Sequence, residues 1–239
     1  SGAEVVWATE DSSVATVENG VVTAVGAGTT KLTASYNDGT FNYATTIQIT
    51  VVRPVVALAG NFDMNMAEVG DYATLKIDVD CSAVQTVSID GVSLDFVAQA
   101  DGVKVSKASL EGITGATSFV LQSSTVEYSV NATVATVLIR DAYDLAYMEA
   151  MAAESSSDNY LTGYFVLDAD IDYSSQAFGI QYFGGIFEGR GHIIKNINVK
   201  DDVSGGLFVN VNANGVIRNV AFVNVVNNTA VGSAGFNRR

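Results

Sequence analysis

The sequence predicts an all-β fold: two β-sandwich modules followed by the first coils of a right-handed parallel β-helix, with one capping helix. Three observations predict it. Val, Ala and Ile supply most of the apolar residues and Thr, Gly and Asn are abundant, which suits pleated half-buried surfaces and tight turns better than helices. Short β-rich runs are separated by Asn-Gly and Gly-x-Gly turns, the pattern of hairpins in a sandwich. Towards the C-terminus, short rungs recur with a period in the low twenties, as stacked coils require.

The 239 residues suffice for two or three domains, and 48% hydrophobic content against 16% charged residues supplies their cores. A net charge of -14 repels a phosphate backbone, so nucleic acid is excluded as a partner. The same acidity keeps an exposed protein soluble and can attract divalent cations. Cys81 is the single cysteine, which rules out an intrachain disulfide and any Cys-based zinc spacing. No run of about 18 apolar residues occurs, so no membrane insertion by this segment is expected. Ser1 does not open a signal peptide, and targeting information is expected outside the sequence.

The first module, 1–53, reads Val5-Val6-Trp7-Ala8, the turn Glu10-Asp11-Ser12-Ser13, Val14-Ala15-Thr16-Val17, Glu18-Asn19-Gly20, Val21-Val22-Thr23-Ala24-Val25 and Gly26-Ala27-Gly28. Two more strands, 30–36 and 44–52, flank Asn37-Asp38-Gly39. The stretch VVWATEDSSVATVENGVVTAVGAGTTKLTAS resembles the group 2 bacterial immunoglobulin-like domain over about residues 3–52. That resemblance implies that Trp7 packs inside a sandwich. It also implies two further strands before the Trp strand, so the sequence is expected to begin inside a domain, with strand complementation from flanking sequence or a neighbouring chain.

Arg53-Pro54 holds the only proline and is the linker candidate. A second module, 54–139, is expected from the alternation at 73–79 and strands near 86–89, 93–96, 102–105 and 125–137. Leu110-Glu111-Gly112-Ile113-Thr114-Gly115 with Ser118-Phe119-Val120-Leu121 is similar to immunoglobulin-like modules that accompany surface and glycan-degrading proteins.

From 140 to 239 a capping helix gives way to the coils. Asp141 can cap a helix running to about Glu154, with Leu145, Met148 and Ala152 at helical spacing. Gly185-Ile186-Phe187 recurs as Gly206-Leu207-Phe208, and Ile194-Lys195-Asn196-Ile197 as Ile217-Arg218-Asn219-Val220, at offsets of 21 and 23 residues. FGGIFEGRGHIIKNINV, with GGLF and GVIRNVAFVNV after it, resembles the glycine-rich coils of bacterial surface β-helices. Asn196 and Asn219 are expected to form a buried amide ladder across coils. A third coil is expected to open at Ala234-Gly235-Phe236 and to be cut short at Arg239.

Candidate chemistry gathers in this last part. Asp168, Asp170 and Asp172 alternate, as on one face of a strand, and three acids in line can be solvated, bind calcium, or act as paired carboxylates. Glu188, Arg190 and His192 form a second constellation containing the only histidine, which the β-helix resemblance implies is a glycine-bounded turn. Tyr160, Tyr164, Tyr173, Tyr182 and Phe183 are aromatic candidates for glycan contact, or else cap the coil stack. Asn131-Ala132-Thr133 and Asn227-Asn228-Thr229 match glycosylation sequons. No nucleophile elbow, phosphate loop or metalloprotease helix occurs. No cofactor other than calcium is suggested.

These features together point to a non-catalytic stalk or adhesion segment of a large extracellular protein, on a bacterial surface or phage particle, contacting a glycan or a surface protein. The alternatives are the N-terminal part of a β-helix polysaccharide-degrading enzyme and a virion decoration or fibre protein.

Overall fold

The computed structural model describes residues 4–201 and 205–227. Strands dominate and a single α-helix is present among them, so the protein is all-β, as its β-branched, turn-rich composition dictates. The expected third-coil opening at 234–236 and most of the second sequon lie outside the described residues. Two compact units, each discontinuous in sequence, make up the chain: Ser1–Gly60 with Asp78–Val103 and Ser118–Asn131, and Asn61–Ile77 with Lys104–Thr117 and Ala132–Arg239.

In the first unit, β1 (Val6–Thr9), β4 (Gly28–Asn37) and β5 (Asn42–Val51) form an antiparallel sheet in the order β1-β4-β5, while β2 (Ala15–Glu18) pairs with β3 (Val21–Ala24). Asn19 and Gly20 link Glu18 to Val21 with φ of 49° and 79°, the two left-handed residues that a two-residue hairpin needs. Thr30 and Leu32 alternate inward on β4, and with Val14 and Ala15 they are the buried residues of this small core. Asp11 accepts from the backbone of Ser13 and so shapes the turn after β1.

Trp7 is not a core residue. It is 38% exposed on an edge strand, and its ring lies against the turn glycine, where a Cβ on Gly20 would come within 3.2 Å. The turn glycine lies against the indole, and the ring remains partly exposed.

β6 (Val55–Asn65), β12 (Gly115–Gln122) and β13 (Glu127–Ala135) contribute residues to both units, in a sheet ordered β6-β13-β12-β8-β9 with β8 (Thr86–Ile89) and β9 (Val92–Ser93). β7 (Tyr72–Lys76), β10 (Phe96–Gln99) and β11 (Gly102–Ser106) form a further sheet in the order β10-β11-β7.

The second unit changes from antiparallel to parallel pairing. β14 (Val137–Ile139), β15 (Tyr164–Leu167), β19 (Ile186–Glu188) and β23 (Val216–Arg218) stack in that order. Beside them stack β16 (Ile171–Asp172), β20 (Ile193–Lys195) and β24 (Ala221–Val223), then β17 (Ala177–Phe178) with β21 (Asn198–Val199), and β18 (Ile180–Phe183) with β22 (Phe208–Val211). Every one of these pairings is parallel. The chain therefore travels round and returns above itself. Inside lie Phe165, Phe178, Phe183 and Phe187, with Phe208 touching the last three at 5.1 to 5.8 Å between ring centroids.

α1 (Ala142–Met151) begins where Asp141 accepts hydrogen bonds from the N–H groups of Tyr143 and Asp144 at 2.8 and 3.0 Å. It buries Leu145 and Met148 into the same core.

The expected repeat register is corrected. Ile186 pairs with Val216 and Phe208 with Ile180, so the two glycine-rich tripeptides occupy non-equivalent rungs. Ile217 lies beside Phe187, whereas Ile194 lies beside Phe222. Every rung needs an apolar inward residue, so similar short runs recur at rungs that do not stack on each other. The amide ladder is corrected as well: Asn196 receives Asn224 Nδ2 at 3.1 Å, while Asn219 donates to Glu188 at 3.0 Å, both outside the core.

Candidate functional site

One corner of the parallel stack concentrates the charged side chains, and three successive turns build it. Val166, Glu188 and Arg218 are in register on one side of the corner, and Ile171, Ile194 and Phe222 on the other. The middle turn is Gly189-Arg190-Gly191-His192, between β19 and β20. Gly189 must be glycine, since a Cβ there would lie 2.4 Å from both Asn219 O and Val220 Cβ. Arg190 itself sits at φ 52°, a left-handed conformation uncommon for a side chain of this size.

That turn carries the Arg190 guanidinium onto Asp63 of β6, Nη2 to Oδ1 at 2.6 Å and Nη1 to Oδ2 at 2.9 Å. Nη1 also reaches Asp168 at 3.4 Å and Nη2 the Thr133 hydroxyl at 3.3 Å. The hydrogen bonds and charge of Asp63, with the charge of Asp168, hold Arg190 above the usual guanidinium range.

Behind it, Glu188 accepts from the Arg190 N–H at 2.9 Å, Arg218 Nε at 2.7 Å and Asn219 Nδ2 at 3.0 Å. Partial burial pushes its carboxyl up, but these donors and the Arg218 charge outweigh burial and hold it below the usual range. Arg218 Nη2 extends to the Tyr164 hydroxyl at 3.4 Å.

The three aspartates do not share one strand. β15 ends before Asp168 and β16 begins after Asp170, so each acid faces a different donor on the next coil. Asp168 meets Arg190, Asp170 takes the Ile193 N–H and His192 Nδ1, each at 3.0 Å, and Asp172 takes Asn196 Nδ2 at 3.0 Å with Lys195 Nζ at 3.7 Å. The Ile193 N–H first, then His192, keep Asp170 below the usual carboxylate range. Asn196, Ser174 and the Lys195 charge do the same for Asp172. Among the described residues, no three His, Cys, Asp or Glu side chains converge as a metal site would require.

Arg190 and Gly191, with Asn61 and Asn219, line an open depression of about 590 Å³. The Arg190 guanidinium and the Asn219 amide on its rim are engaged with Asp63, Asp168 and Glu188, and those acids are in turn taken up by cations and N–H groups.

The five aromatic candidates separate. Tyr173 and Phe183 are fully buried, so neither can contact a ligand, and burial with the nearby Glu149 charge pushes the Tyr173 hydroxyl up to about 12. Both rings belong to the same apolar core of the second unit. Tyr160 and Tyr182 are half-buried and meet edge to face at 5.4 Å. Tyr164 stands apart with Arg218. Cys81 is buried, and desolvation first, then Asp80 and Asp101, pushes its thiol up to about 11, a poor nucleophile. Asn131 of the first sequon is exposed on β13.

Sequence reasoning missed Asp63 and Asn61, which carry no local signal, and read Thr133 only as part of a sequon. It also passed over Tyr143 and Tyr147, although their signal was available: they lie opposite Leu145 and Met148 on α1 and are 81% and 51% exposed.

The family-model match falls in the first unit. No curated protein matches the chain. Among solved structures it is similar to an endo-fucoidan hydrolase from glycoside hydrolase family 107, at 17% identity and a TM-score of 0.21, covering 55% of this chain and 24% of that one. The chain spans about a quarter of that enzyme's length. Residues 4–48, which hold β1 to β4 and most of β5, match the family model of the hyaluronate lyase N-terminal beta-sheet domain.

Proposed function

We propose that this chain is a non-catalytic, extracellular, carbohydrate-contacting segment of a larger polysaccharide-associated protein. The observation that carries this reading is the match of residues 4–48 to a domain that lies N-terminal in hyaluronate lyases. The antiparallel modules act as immunoglobulin-like spacers. The parallel stack forms the first coils of a β-helix and presents the Arg190–Asn219 depression and the Tyr160–Tyr182 pair to glycan. Saturation of Glu188, Asp168 and Asp170 by their neighbours supports a binding rather than a catalytic role for the corner.

β5 is the outer strand of its sheet, ten residues long and without a charged side chain, and it leaves Tyr43 and Ile47 exposed. Such an edge supports strand complementation by a neighbouring chain or by flanking sequence. Natural edges are normally blunted by charge, proline or bulges.

The test is affinity electrophoresis of the chain through gels containing soluble polysaccharides, alongside an assay for new reducing ends and unsaturated products. Retardation without product formation is expected. Product formation overturns the non-catalytic reading, and free migration through every polysaccharide overturns the carbohydrate reading.

A further inference from the structure

We infer that the outward face of α1 is an aromatic platform for an uncharged polysaccharide chain, an inference that rests on the carbohydrate-contacting reading above. Tyr143 and Tyr147 are 81% and 51% exposed, an unusual outlay of two large rings on a helix of ten residues. They are four positions apart and so lie one above the other, about 6 Å apart along the axis. Successive sugar rings of an extended glycan follow one another at a comparable interval, and each pyranose offers a face of C–H groups to a ring.

The platform is rigid from below. Leu145 and Met148 are fully buried on the opposite face of the helix, and Asp141 pins its first turn through two backbone N–H groups. The backbone is therefore ordered before a ligand arrives, so binding costs mainly the orientation of two side chains with two soft torsions each.

Charge indicates which glycan. Asp144 is paired with Arg140 at 3.4 Å beside the tyrosines, whereas Asp141, which accepts the Tyr143 N–H, adds a further negative charge to the face. The protein as a whole carries a net charge of -14, which repels uronate-rich or sulfated chains. An acidic surround of this kind disfavours an anionic polymer and leaves a neutral one, held by ring stacking and by hydrogen bonds from the two phenolic hydroxyls.

Affinity electrophoresis with hydroxyethylcellulose, xyloglucan and galactomannan as neutral probes, and hyaluronan and polygalacturonate as anionic ones, tests this. The unaltered chain is expected to be retarded by at least one neutral probe. Tyr143→Ala with Tyr147→Ala should weaken that retardation at least tenfold while the melting temperature is unchanged, because both side chains are exposed. Tyr143→Phe with Tyr147→Phe should keep most of it.

Undiminished retardation of the double alanine variant overturns the platform and leaves the carbohydrate reading standing. Retardation by the anionic probes alone overturns the uncharged ligand and likewise leaves the broader reading intact. No retardation by any probe overturns both. Self-association in sedimentation that the alanine variant abolishes marks the face as a protein interface and overturns the platform.

Discussion

Arg190 and Asp63 stand 127 positions apart in sequence and meet as a two-pronged ion pair, with both contacts under 3 Å and both side chains mostly covered. Parallel planar groups of this kind are stronger than a single-point contact. A double-mutant cycle with Arg190→Met and Asp63→Leu is expected to give a coupling of about 1–3 kcal/mol in urea unfolding. A coupling within error of zero would reduce the pair to an ordinary surface contact.

Trp7 offers a direct optical check, because it is the only tryptophan. Its ring lies on Gly20 and remains partly wet, so its fluorescence should be quenched readily by acrylamide and should emit to the red of a buried indole. Trp7→Ala should cost about 1–2 kcal/mol, below the ~3–5 kcal/mol of a fully buried large aromatic. A blue, unquenched spectrum would contradict the edge-strand placement.

The two glycines that frame Arg190 separate strain from collision. Gly189→Ala drives a Cβ into the Asn219 carbonyl and the Val220 side chain and should destabilise the stack by about 2–3 kcal/mol. Gly191→Ala meets nothing within 4 Å but sits at φ 87°, so conformational strain alone should cost about 1–2 kcal/mol. Equal losses in thermal unfolding would mean that the corner relaxes around the added methyl.

Acid should loosen the same corner. Asp170, Asp172 and Glu188 titrate lower in the folded chain than their ordinary values of 3.8, 3.8 and 4.5. Their contribution is therefore complete above those ordinary values and is lost as pH falls through the lowered folded ones. The melting temperature should decline as pH drops below about 4, and Glu188→Gln should make that decline shallower. A melting temperature flat from pH 5 to pH 2.5 would remove these carboxylates from the stability of the coils.

Local chemistry was legible in the sequence and distant pairing was not. Asn19-Gly20, the Asp141 cap and the strand at Thr86–Ile89 depend on a few neighbouring residues, and the structure places them as their residue types demand. The coil register depended on a constant period. The path is 22 residues from Phe165 to Phe187 but 30 from there to Ile217, because the segment between β21 and β22 lengthens the second circuit. Asp63 was invisible for a related reason: an acid that completes an ion pair across 127 residues looks in sequence like any solvated aspartate.

The alignment of acids beneath donors gives the coil stack a direction. Asp168, Asp170 and Asp172 on one circuit are answered by Arg190, His192 and Lys195 on the next, and Glu188 on that circuit by Arg218 above it. Backbone pairing cannot tell one apolar rung from another, so a circuit could dock on the wrong neighbour at little cost in hydrogen bonds. Skipping a circuit would set Phe222 against Ile171 and leave Asp170 and Asp172 facing Val220 and Val223 in place of His192 and Lys195. Surface charge thus distinguishes the native neighbour of each circuit where the interior, apolar throughout, does not.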